Sequence, residues 1–329
     1  MKRQLKEIRS PLIGAFVITA AIALLAPTFR QQDAFVDVLE NAAVLFIMCT
    51  GMTIALIGNC LDLSVGSIYA LASVVTGQLL ISGVPVPVAI ILGLGSGAVC
   101  GVINGSIVVW MGVPTLIATL GTQMMFRGVA NMIGAGKDMS HFGAVFDWMG
   151  QGLVGPMVVC AIAFFTIWFI LSKTKLGFQA YAQGGNEEVA RLAGIPVKRN
   201  IIIIYVICGI MAALASLVYT ARVDFAYVNR GQGMELWAIA GVVIGGTSMF
   251  GGVGGVGKTI IGVWIFYVLQ AGLIHLHFEA FWQQIATGAV IIIAVWLDYL
   301  QRRAEASRRA NIDGATTRSV WNRLLGFRG

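Results

Sequence analysis

Charge is scarce in this chain. Of 329 residues only 15 are acidic and 22 basic, together 11%, against roughly a quarter in a soluble domain. So few charges exclude a water-covered globule. Histidine occurs three times and cysteine five times. The cysteines, Cys49, Cys60, Cys100, Cys160 and Cys208, are odd in number, lie in or beside apolar runs and show no metal-ligand spacing. They read as small apolar filler rather than a disulfide framework or metal site. His275, His277 and Glu279 resemble a metal corner, yet an i, i+2 pair shares one side only in an extended segment. Paired catalytic carboxylates and Ser/His/Asp or Cys/His arrangements are not evident, and the third histidine, His141, stands apart. Also missing is a polar stretch large enough for a soluble domain. The longest before the C-terminal tail runs from Ser172 to Asn200.

What is abundant is apolar sequence, 58% of the chain, with 41 glycines. Runs near the ~20 residues that cross a bilayer recur along almost the whole length, and glycine is tolerated there because small residues let helices approach closely. About ten are expected. Their cores are Leu12 to Ala26, Ala42 to Gly58, Val65 to Ile81, Val86 to Val109, Leu116 to Ile133, Leu153 to Leu171, Ile201 to Tyr219, Leu236 to Met249, Ile260 to Leu273 and Phe281 to Leu297. The eighth and ninth are short. The first, preceded by MKRQLKEIR, imitates a signal peptide, but nine further runs favour an uncleaved span. With ten spans and the N-terminus inside, 17 of the 22 Lys and Arg fall on the cytoplasmic side, as the positive-inside rule requires. The exceptions are Arg30, Arg127, Lys137, Arg222 and Arg230. Both termini are then cytoplasmic, and the net charge of +7 reflects this asymmetry without a nucleic-acid partner.

One motif argues otherwise. Gly252, Gly257, Lys258 and Thr259 fit the phosphate-loop pattern G-x-x-x-x-G-K-[ST], and Asp298 can pose as the magnesium-binding acid. A working phosphate loop follows a buried strand and opens a soluble helix. Here AIAGVVIGGTSMF precedes and TIIGVWIFYVLQAGLI follows, two membrane-grade runs, and no soluble stretch can build a parallel sheet around a nucleotide. The expected structure is a glycine-rich turn between two short packed helices.

Within Ser172 to Asn200, NEEVARLAGIP carries the signals of a short helix. Asn186 is the N-cap, Glu187 and Glu188 oppose the positive dipole end, Gly194 is the C′ stop and Pro196 follows. Two turns are marginal alone in water. Val189, Leu192 and Ala193 share one face while Glu188 and Arg191 are charged, which suits either docking into a partner's groove or packing on the chain's own membrane domain.

At this loop the sequence becomes recognisable. GNEEVARLAGIPVKR resembles the cytoplasmic coupling loop of permease subunits in bacterial ABC importers of the ribose, xylose and arabinose type. LDLSVGS at Leu61 to Ser67, GVINGSIVVW at Gly101 to Trp110, VPTLIATLGTQMMFRG at Val113 to Gly128 and ELWAIAGVVIGGTSMFGGVGGVGKTIIG at Glu235 to Gly262 are similar to further blocks of that family, in the same order. The similarity runs from about Gly51 to Asp298. Two departures stand out: Asn59-Cys60-Leu61-Asp62 where the family often has Gly-Gly-Ile-Asp, and Lys258 where lysine is uncommon. The resemblance implies one all-α, polytopic permease domain over residues 1–329, with a cytoplasmic N-terminus at 1–10, a coupling loop at 172–200 and a basic cytoplasmic tail at 299–329. It implies a bacterial inner-membrane translocation subunit for a small sugar or similar solute. Its partners would be a separate ATPase, a second permease chain and a periplasmic solute-binding protein. ATP and magnesium would sit on the ATPase, leaving this chain with no cofactor or metal. Asn186, Glu187, Glu188, Arg191, Leu192 and Gly194 would form the ATPase-coupling loop.

Polar groups inside a span are functional candidates by default. Asp62 and Ser64 interrupt the second and third runs and can cap the third helix or form a broken-helix gate. Asn104, Thr119, Thr122 and Gln123 can offer hydrogen bonds to a solute or to neighbouring helices. Arg127, toward the outer end of the fifth span, can meet the solute-binding protein or pair with Asp138 or Asp147. Asp33, Asp37, Glu40 and Asp224 in outer loops can meet basic residues of the same partner. The blocks Gly101 to Gly121 and Gly257 to Gly288 each combine a glycine-spaced helix with an I-A-T segment five spans apart, which would make two inverted five-helix halves. The competing function is a stand-alone secondary transporter, which needs an intramembrane ion relay; Asp62 is the one mid-span acid available to it.

Overall fold

The computed structural model describes residues 2–135, 137, 139–300 and 303. The call on Asp138 and nearly all of the basic tail lie outside these. The chain runs through α1 (Lys2–Leu25), a 3-10 turn (Pro27–Arg30), α2 (Gln32–Ile57), α3 (Val65–Ile81), α4 (Val86–Trp110), α5 (Thr115–Gly134) and α6 (Ala144–Asp147). It continues through α7 (Val154–Lys173), α8 (Lys175–Gly185), α9 (Glu187–Leu192), α10 (Val197–Val223), α11 (Met234–Ile244) and α12 (Val256–His275), and ends its described part in α13 (Ala280–Leu300). Among the described residues there is no strand, only an isolated bridge between Ser140 and Phe225. The protein is an all-α polytopic membrane protein, as expected.

Each of the ten apolar runs falls in a helix, but they are not ten equal crossings. Among the described residues six helices, α2, α4, α7, α10, α12 and α13, are long and apolar enough to span, while Leu12–Leu25, α3 and α11 are shorter apolar helices. α5 has 20 residues but carries Thr, Gln, Arg and Asn, and its composition is too polar to join the six. The eighth run stops at Ile244 instead of Met249. At 1.5 Å per residue the 11 residues of α11 cover about half of a ~30 Å hydrocarbon core.

In hydrocarbon an apolar outer face is as comfortable as an apolar core, so packing is selected by small residues and interhelical hydrogen bonds. Among the six, the apolar stretch of α2 is the most buried, at 94%, and that of α13 the least, at 11%. α10 packs along α4 and α2. On α4, Gly93, Gly97, Gly101 and Gly105 recur every four residues and are all buried, the last three against α10 backbone at Gly209, Tyr205 and Ile202. Hydroxyl pairs fasten other helices: Ser73 to Thr220 at 2.7 Å and Thr53 to Thr259 at 2.8 Å. The neighbour pattern repeats at an offset of five apolar runs. α3 packs on α4 and α10 as α11 packs on α12 and α2, and α4 meets α10 as α12 meets α2. Two related halves would pack in this way.

The phosphate-loop look-alike is the loop between α11 and α12. An apolar helix, not a strand, precedes it. Gly251 and Gly252 have φ of +83° and +73° and lie against the backbone of Gly184 and Gly185. The Gly252 N–H donates to the Ile57 carbonyl at 2.9 Å. Thr259 is fully buried with its hydroxyl on Thr53, and Asp298 accepts from the Ser248 hydroxyl at 2.8 Å and the Met249 N–H at 3.3 Å. Gly252, Thr259 and Asp298, which imitate parts of a nucleotide site, fasten one helix end to another.

Candidate functional site

Two polar clusters and one exposed helix carry the sequence candidates. The first cluster fills the break between α2 and α3. α2 ends at Gly58, Asn59 turns with φ of 57°, and the chain re-enters a helix at Ser64. A break inside the bundle frees backbone groups that must be satisfied. The Gln183 amide of α8 donates to the Gly58 carbonyl at 3.1 Å, and the Tyr205 hydroxyl of α10 to the Leu61 carbonyl at 3.2 Å. Asp62, fully buried, accepts from the Ser64 N–H at 2.8 Å and the Ser64 hydroxyl at 2.6 Å. Asn104 of α4 donates to the Ser64 oxygen at 2.7 Å and lies 3.4 Å from both Asp62 oxygens. Asp62 thus closes a turn onto Ser64, the residue before α3, without capping the helix itself, and is tied across to α4. The Asn104 and Gln183 side-chain carbonyls are buried without a partner.

The second cluster joins α3, α5 and α11. Gln123 donates to Glu235 at 2.8 Å. Arg127 donates to the carbonyls of Val228 at 2.8 Å, Arg230 at 2.7 Å and Gly66 at 3.1 Å. Its guanidinium therefore serves main-chain carbonyls rather than Asp147, the described one of the two acids considered for it. The reason is geometric: the segment 224–233 folds back over α5 and offers carbonyls that a planar five-donor group matches. Thr119 and Thr122 return their hydroxyls to their own helix, to Thr115 at 2.9 Å and Thr119 at 3.2 Å. Of the outer acids, Asp37 and Glu40 pair with Arg222, Glu40 at 2.9 Å, and Asp224 accepts from the Phe142 N–H at 2.8 Å. We expect Arg127→Gln to loosen the 228–230 segment and lower stability in detergent by on the order of 2 kcal/mol, since charge-assisted hydrogen bonds to three main-chain carbonyls are lost. A thermal melt followed by size-exclusion recovery measures this; an unchanged midpoint would remove Arg127 from this role.

Sequence reasoning passed over Glu235, Tyr205 and Gln183. Glu235 is buried, with one oxygen unpartnered, and an acid opening an apolar run was its only signal. His275 Nδ1 faces the Thr28 hydroxyl at 3.2 Å, and among the described residues no group of three or more His, Cys, Asp or Glu is placed to hold a metal ion.

The exposed helix is α9. Asn186 accepts from the Val189 N–H at 3.0 Å, Arg191 pairs with Glu187 at 2.6 Å, and Gly194 turns with φ of +80°. Ala190 is buried against the bundle, while Val189 and Leu192 are 60% and 84% exposed. α8, its N-cap Thr174 accepting from Gly177 N, ties α9 back to the break through Gln183.

A broken-helix polar core with a capped helix held on its end is transporter architecture. A family model described as the permease component of branched-chain amino acid transport systems matches residues 34–295. The chain belongs to this permease family. The ribose import permease of Bacillus subtilis strain 168 is 37% identical over 88% of this chain and 91% of its own length. The D-allose transport permease of Escherichia coli K12 is 36% identical over 86% and 89%. The galactose/methyl galactoside import permease of Haemophilus influenzae Rd is 34% identical over 84% and 89%. No solved structure matches the permease.

Proposed function

We propose that this permease is the translocation subunit of an ATP-binding-cassette importer that carries a small sugar or sugar-like solute across the bacterial inner membrane. Both termini are cytoplasmic in this reading, and so are α8 and α9. A separate ATPase holds ATP and magnesium and docks on α9, a second permease chain completes the conduit, and a periplasmic protein delivers the solute to the opposite end. Sugars as cargo are supported by the names of relatives that match nearly end to end. One observation carries the coupling: α9 presents Val189 and Leu192 outward from a helix too short to stand alone.

The route of coupling follows from contacts. Coupling needs rigid elements with two arrangements. α8 touches the end of α2 at Ile57 and Gly58, beside the α2–α3 break that Asp62, Ser64 and Asn104 close. Motion imposed on α9 would reach that break through Gln183. Thr119 and Gln123 line the neighbouring α5, and Arg127 orders the far end that receives the delivery protein.

The test is uptake of D-ribose, D-allose and D-galactose by membrane vesicles holding this chain with its ATPase and binding protein. ATP-dependent uptake of at least one sugar is expected. Uptake driven by an ion gradient with this chain alone would replace the reading with a secondary transporter. Lys258→Ala is expected to leave ATP hydrolysis by the assembled importer within about twofold, a change of under ~0.5 kcal/mol. Loss of hydrolysis would reinstate the glycine-rich loop as a nucleotide site.

A further inference from the structure

At the end of the bundle opposite α9, a cavity of about 310 Å³ opens between α2, α3, α10, α11 and α12. Its size is at the lower end of the ~300–1,000 Å³ of small-molecule sites. Tyr69, Tyr219, Tyr267 and Trp237 contribute its aromatic walls. Its mouth is polar, formed by Asn229, Arg230 and Gln232, with the Arg230 guanidinium 5.0 Å above the Tyr219 ring. The mouth is a fixed feature, because Arg127 holds the carbonyls on either side of Asn229 and Gly231 lies against Gly66 and Tyr69.

Ordinary aromatic packing does not account for this lining. Tyr181 and Tyr205 elsewhere in the bundle donate their hydroxyls to carbonyls. Among the described residues, the hydroxyls of Tyr69, Tyr219 and Tyr267 have no such acceptor. Tyr69 is buried while Tyr219 and Tyr267 are half-buried, and none of the three oxygens is fully enclosed, so each remains open to a partner. A larger crevice of about 400 Å³ between α2, α7 and α12 is lined almost wholly by apolar groups such as Ala42, Phe46 and Phe164, and offers a polar solute nothing.

We infer that the aromatic cavity is a transient solute site for a neutral monosaccharide. This deepens the proposed importer reading and rests on it. A sugar ring presents C–H faces that lie against indole and phenol rings, and hydroxyls that both donate and accept. Phenol hydroxyls and the Asn41 and Asn229 amides complement them. No lining residue is acidic and one, Arg230, is cationic, so the lining offers the ammonium group of a zwitterionic amino acid no opposite charge. On that ground the cavity favours a neutral sugar over the amino acids named in the family's description.

The experiment uses the intact importer with Gln232→Cys at the mouth, labelled by a membrane-impermeant maleimide, with the chain lacking that substitution as background. D-ribose, D-allose or D-galactose, whichever the importer takes up, is expected to slow labelling, and L-leucine is not. Trp237→Ala should raise the sugar concentration needed for protection about tenfold, as loss of one aromatic wall does, while labelling without sugar continues. Tyr267→Phe, which removes one hydroxyl only, should alter the rank order of the three sugars. Sugar uptake without protection would overturn the cavity and leave the importer standing. Protection by L-leucine would overturn the occupant, and absence of uptake for every sugar would overturn both readings together.

Discussion

Leu192→Asp is expected to abolish sugar uptake while leaving the amount of permease in the membrane unchanged. Leu192 is 84% exposed on α9, so a carboxylate there meets only water in the isolated chain. Seated in an apolar groove of the ATPase, the same carboxylate would be desolvated without a partner, at a cost of several kcal/mol. Removing a central apolar anchor from an interface costs about 2 kcal/mol or more, roughly a 30-fold loss of affinity. Co-purification of the ATPase should fall accordingly. Ala190 gives the internal contrast, since it is buried one position away from exposed Val189. Ala190→Asp should reduce the folded permease itself. Glu188→Arg tests the charged side of the helix and should uncouple transport from ATP use or prevent assembly. Wild-type uptake in Leu192→Asp would end the assignment of α9 as the docking element.

α9 could be placed from its sequence because its signals are local. An N-cap at Asn186, two acids in the first turn and a glycine at the left-handed position need no knowledge of the rest of the chain. The elements read less well depend on distant partners. α2 begins at Gln32, well before the apolar core that starts at Ala42, and brings Asp37 and Glu40 into the helix. Both acids are matched by Arg222 from the end of α10, a pairing no local hydropathy reveals. Local sequence does not separate α8 from its loop, since KLGFQAYAQGG has three glycines that disfavour a helix. Packing reverses that preference: Gly177 lies against the backbone of Ile170 and Leu171, and Gly184 against the Ile57 carbonyl.

The same division runs through the site. Asp62, Ser64 and Asn104 were legible as polar interruptions of apolar runs, and they meet in one hydrogen-bonded knot. Glu235 was not, because an acid at the start of an apolar helix reads as an ordinary dipole contact. Only the fold shows it under Gly66, where a methyl group would come within 2.2 Å of its carboxylate. The aromatic cavity was equally hidden. Tyr69, Tyr219, Trp237 and Tyr267 come from four helices, and each alone looks like apolar filling in its span.

Gly101→Val should give a large loss of folded permease. A β-carbon at Gly101 would lie 2.3 Å from the Tyr205 carbonyl oxygen and 2.6 Å from the Tyr205 carbonyl carbon and the Val206 Cα. All three are backbone, so no side chain can swing aside and one helix must move. Overpacking by a methylene or two ordinarily costs 1–3 kcal/mol, and a rigid clash between two long helices sets this substitution at about 3 kcal/mol or more, a large part of the 5–15 kcal/mol that holds a typical fold. The displacement also pulls α4 from the site. Asn104 lies on the same helix less than one turn away, and Tyr205 is the residue whose hydroxyl satisfies Leu61. Displacing α4 from α10 therefore opens the Asp62 knot as well as the interface. Gly95, on the same helix with nothing within 4 Å of its β-carbon position, separates packing from propensity. Gly95→Val should leave membrane level and melting midpoint close to wild type, because hydrocarbon receives the added methyls without penalty. If Gly101→Val proved as stable in detergent as Gly95→Val, the glycine seam between α4 and α10 would not be the contact that holds the bundle and its polar core in register.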